Sequence, residues 1–70
     1  MPYRWKNKVD VDEAVVVIMN VLDKNADLPN WLIVTLNGSV ADSDKSLVKY
    51  FFDEIKKHVP NAMKYFESRQ

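Results

Sequence analysis

The chain has 70 residues, 47% of them hydrophobic, with ten basic side chains balanced by ten acidic ones and no cysteine. That composition suits one small ordered domain and excludes a disulfide framework, a thiolate metal site and a thiol nucleophile. At this length apolar burial roughly balances the entropy of ordering the chain, so the domain relies on good helix packing, a partner or self-association.

Zero net charge provides no overall field to gather nucleic acid or an anionic membrane, but the charge is unevenly spread. Residues 1–9 hold Arg4, Lys6 and Lys8 without an acid; residues 10–44 hold seven acids against Lys24; residues 45–70 hold six bases against three acids. Basic ends around an acidic middle are either ordinary surface variation or a basis for docking between protomers or onto a charged partner. The longest apolar run, residues 14–19, is too short to cross a bilayer, and no targeting signal stands out. The expectation is a cytoplasmic domain without a membrane role.

Residues 1–9 read as an arm on a single domain spanning 1–70. Tyr3 and Trp5 alternate with Arg4, Lys6 and then Lys8. Such alternation can stack bases while cations hold phosphates. The competing reading folds Trp5 and Tyr3 back onto a core short of large apolar side chains.

A first helix is expected over 11–24. Asp10 and Glu13 have the spacing of a capping box, and Asp12 and Glu13 suit the positive end of the helix dipole. Val11, Ala14, Val15, Ile18, Met19 and Leu22 follow the helical period, against the strand preference of the β-branched residues 15–18. Val16, Val17 and Val21 fall off that stripe, which makes the helix apolar on more than one side. They are the candidate protein interface.

Residues 23–27 place Asp23, Asn25 and Asp27 like the first ligands of an EF-hand. Leu28 stands where that loop needs glycine and Val34 where it needs glutamate, so no calcium site is expected. Asp27 instead suits the N-cap of a second helix at 29–37, with Pro29 in its first turn. The nearly continuous apolar run Trp31, Leu32, Ile33, Val34, Leu36 leaves a strand open, with a small hairpin at 31–41 turning at Asn37-Gly38. In both readings Gly38, the one glycine, supplies a positive φ.

The strongest periodic signal comes next. Leu47, Val48, Phe51, Phe52, Ile55 and Val59 define a helix at 42–58, capped by Asp42 or Ser43, with Lys56, Lys57 and His58 at its negative end. Asp53 and Glu54 read as solvated. Pro60 opens a last helix at 60–68, on which Met63 and Phe66 share a face. The expected fold is an all-α bundle of four short helices; the alternative is α+β with the hairpin at 31–41.

Catalytic chemistry is sparse. There is one histidine and one glycine, so neither a nucleophile elbow nor a phosphate-binding glycine loop can be built. His58 and Glu54 share a helical face, but two ligands do not make a metal centre. A helix-turn-helix reading would open its recognition helix with Asp42, Ser43, Asp44 and Lys45, and the two acids there repel phosphates. The expectation is therefore a non-enzymatic interaction or regulatory module that associates with itself or with a protein partner, as a dimer in the first case, with no cofactor, metal or small-molecule substrate. The alternative is a nucleic-acid-associated regulator using the arm (Tyr3, Arg4, Trp5, Lys6, Lys8) and the C-terminal lysines.

Overall fold

The stripe from Leu47 to Ile55 does form an element central to the packing of the chain. In the computed structural model, which describes residues 4–24 and 27–66, it lies on α3, Lys45–His58. Before it come α1, Lys8–Lys24, and α2, Asn30–Asp42; a 3₁₀ helix, Pro60–Tyr65, follows. No strand occurs among the described residues, so the fold is all-α and the hairpin at 31–41 does not form.

Phe51 and Ile55 of α3 are fully buried, with α1 and the 3₁₀ helix packed against their helix. Phe51 is the hub. Trp5 lies 4.7 Å from it between ring centroids, Phe66 5.3 Å and Phe52 5.6 Å, the last two edge to face. Each such pair adds about 0.5–1.5 kcal/mol beyond its buried area. Residues from near both ends of the chain therefore close over one ring. The Cα radius of gyration is 10.9 Å, close to the roughly 11 Å of a compact chain this long.

On α1 the inward stripe is Val11, Val15 and Ile18, with Ala14, Val21 and Leu22 partly buried beside them. Met19, expected in that stripe, is 40% exposed. The start of the helix differs from the expectation. Asn7 Oδ1 accepts the Asp10 N–H at 3.0 Å, and Asp10 Oδ2 accepts the Lys6 N–H at 2.9 Å. Asn7 is thus the N-cap, and Asp10 in the first turn reaches back past it to Lys6, so the helix begins at Lys8 rather than at 11. Lys8 and Val9 of the supposed arm are helical, and Trp5 is core.

The largest correction concerns α2. It runs through Gly38 to Asp42 instead of stopping at 37, and no glycine has a positive φ. Leu32 and Leu36 are buried with Ser39, and Val40 packs on the core beside them. Burial of this kind outweighs the roughly 1 kcal/mol by which a mid-helix glycine is disfavoured. Three polar side chains of α2 bond back along the helix; Asn37 Nδ2 also reaches the Tyr65 carbonyl at 3.4 Å, and its Oδ1 is buried without a hydrogen-bond partner among the described residues. Thr35 Oγ1 donates to the Trp31 carbonyl, Asn37 Nδ2 to that of Ile33 and Ser39 Oγ to that of Thr35, the i−4 bonding open to short polar side chains.

The expected caps of the later helices also move. Pro29, not Asp27, precedes α2, and its carbonyl accepts the N–H groups of Leu32 and Ile33. Asp44, not Asp42 or Ser43, precedes α3. Asp42 belongs to α2, and Ser43 Oγ accepts the backbone N–H of Trp5 at 2.8 Å. Asp27 accepts the Tyr65 hydroxyl at 2.8 Å, and that hydroxyl accepts the Leu28 N–H at 3.2 Å. Tyr65 thereby latches the α1–α2 connection to the 3₁₀ helix. That last element is 3₁₀ rather than α, and the end of the expected helix at 60–68 lies outside the described residues.

Candidate protein-interaction surface

With Val11, Val15 and Ile18 turned inward, the period of α1 turns Val9, Val16 and Val17 to the opposite side. They are 61%, 52% and 43% exposed. Val9, Asp12, Glu13, Val16 and Val17 line one shallow concavity, with two carboxylates and no cation. Of the expected interface residues, Val16 and Val17 lie on this face. Val21 does not; it is half-buried against the core.

The flank of α1 toward α3 is polar. The Tyr50 hydroxyl donates to Asp12 Oδ1 at 2.6 Å, and Lys8 Nζ sits 5.1 Å from the centre of the Tyr50 ring. The hydrogen bond to Asp12 pushes the Tyr50 pKa up to about 12, with desolvation and the charges of Asp12 and Glu54 acting the same way. His58 Nε2 stands 3.6 Å from Glu54 Oε1 on the same side of α3. Among the described residues no three histidine, aspartate or glutamate side chains gather as metal ligands would. No helix there is long and apolar enough to cross a membrane.

A second apolar area escaped the sequence reading. Trp31 and Val34, one helical turn apart on α2, are 68% and 65% exposed. Their signal was the run of four apolar residues, 31–34: at about 100° per residue such a run wraps the helix, and one side of it must face out.

Of the residues expected to hold nucleic acid, one is withdrawn into the core. Trp5 is 2% exposed and pressed on Phe51, so its ring has no free face for a base. Arg4 and Lys6 are exposed, Lys8 leans on Tyr50, and Tyr3 lies outside the described residues. Comparison with protein-family models, curated proteins and solved structures gives no match.

Proposed function

We propose that the chain is a non-enzymatic protein-interaction module, regulatory in role, that associates with itself through the outer face of α1. The observation that carries this is the exposure of Val9, Val16 and Val17 on the side of α1 away from the core. A domain this small has little apolar volume, and three valines held in water are a loss unless a partner covers them. The acids beside them give that face orientation as well as stickiness.

Val17→Asp tests the reading, because Val17 is solvent-facing and its change spares the core. The variant stays folded by circular dichroism and loses association in light scattering. An associating wild type whose mass Val17→Asp leaves unchanged would remove α1 from the interface.

A further inference from the structure

We propose that the outer face of α1 in one copy docks into the groove between α2 and α3 of a second copy, making a head-to-tail contact. The inference deepens the self-association reading and rests on it. The groove encloses about 650 Å³. Val40, Val48 and Phe52 give it apolar side chains, and Lys45, Lys49 and Lys56 edge it. Those lysines recur at the four- and seven-residue steps that align side chains along one line of a helix. The one acid in the lining, Asp53, stands 4.0 Å from Lys49, with both side chains well exposed. An ion pair so exposed contributes little and is readily exchanged.

The two surfaces complement each other. The α1 face offers valines with Asp12 and Glu13; the groove offers apolar side chains with three lysines against one aspartate. Opposite charges around matching apolar centres steer association and fix register. The symmetric alternatives are disfavoured on the same ground. Pairing α1 with α1 brings Asp12 and Glu13 toward their own copies, and pairing groove with groove brings lysines toward lysines.

Both surfaces are open on one copy. α1 meets α3 on the side of Asp12, Tyr50, Glu54 and His58, which the helical period places away from the lysine line. Each chain can therefore give its α1 face to one neighbour and its groove to another. A heterologous contact of this kind closes into a ring or extends as a filament.

Two variants and their mixture test this by sedimentation velocity. Lys45→Glu with Lys49→Glu spoils the groove, and Val16→Gln with Val17→Gln spoils the α1 face without offering a cation to the reversed groove. All four positions are exposed, and circular dichroism checks that both variants fold. Each variant alone should associate about tenfold more weakly than wild type, the effect of roughly 1.4 kcal/mol. Mixed in equal amounts they should form a two-chain species and nothing larger, because each retains the surface the other lacks.

A groove variant that associates like wild type, with no rescue on mixing, would overturn the head-to-tail contact and leave self-association through α1 standing. Association untouched by either pair would overturn both readings. A wild type that stays monomeric would do the same; if it also bound a DNA or RNA duplex, and the lysine changes abolished that binding, the lysine line would belong to phosphate instead.

Discussion

The Trp5 and Phe51 rings pack with centroids 4.7 Å apart and planes tilted by 37°, and the backbone N–H of Trp5 donates to Ser43 Oγ at 2.8 Å. One residue near the N-terminus thus seals the ring at the centre of α3 and ties down the corner between α2 and α3. Trp5→Ala should lower stability by about 3–5 kcal/mol, enough to unfold much of a domain of ordinary stability. Ser43→Ala should cost about 1 kcal/mol. Urea denaturation followed by circular dichroism checks both, and a Trp5→Ala midpoint equal to wild type would deny the indole its place in the core.

Gly38 offers the opposite sign. It lies inside α2 without a positive φ, and a Cβ added there meets nothing within 4 Å. Gly38→Ala should therefore stabilise the fold by about 1 kcal/mol through helix propensity and a less disordered unfolded chain. Thermal and urea unfolding should both shift upward. Destabilisation would mean that Gly38 terminates the helix after all.

The two tryptophans occupy opposite environments, Trp5 at 2% and Trp31 at 68% exposure. In Trp31→Phe the remaining fluorescence should be blue-shifted and shielded from acrylamide. In Trp5→Phe it should be red-shifted and freely quenched. Protection of Trp31 that grows with protein concentration would extend the interface onto α2.

Much of the bundle was legible because period is a strong signal. The stripes of α1 and α3 survive almost unchanged, with Val11, Val15, Ile18, Phe51 and Ile55 all buried. Local punctuation was the weaker guide. Asn37-Gly38 looks like a turn, yet Leu32, Leu36 and Val40 keep four-residue spacing across it, and that longer pattern prevails. Asp10 imitates an N-cap because Glu13 follows it, while the cap is Asn7, three residues earlier. The fate of Trp5 was open because it depends on a contact with Phe51, far along the chain. Trp31 was hidden for another reason: within four consecutive apolar residues, composition does not say which side is out.

The Tyr50–Asp12 hydrogen bond predicts a response to alkali. Its phenol has an ordinary pKa of 10.0 when free and about 12 in the fold. Between those values the unfolded chain sheds the proton that the folded chain retains, so stability falls as pH rises through that window. The contribution is intact below it. Comparing Tyr50→Phe with wild type isolates the effect of this phenol. The variant should show the shallower loss of stability over that range, and parallel curves would mean that Asp12 does not hold this phenol.

Self-association is the claim from which the functional account follows. Its most direct test is the absolute mass of the wild-type chain by light scattering, across protein concentration at low and high salt. The account predicts a mass that climbs above the 8.2 kDa of one chain as concentration rises, and falls back when salt screens Glu13 and Asp12 from Lys45, Lys49 and Lys56. A mass fixed at 8.2 kDa under every condition would contradict it.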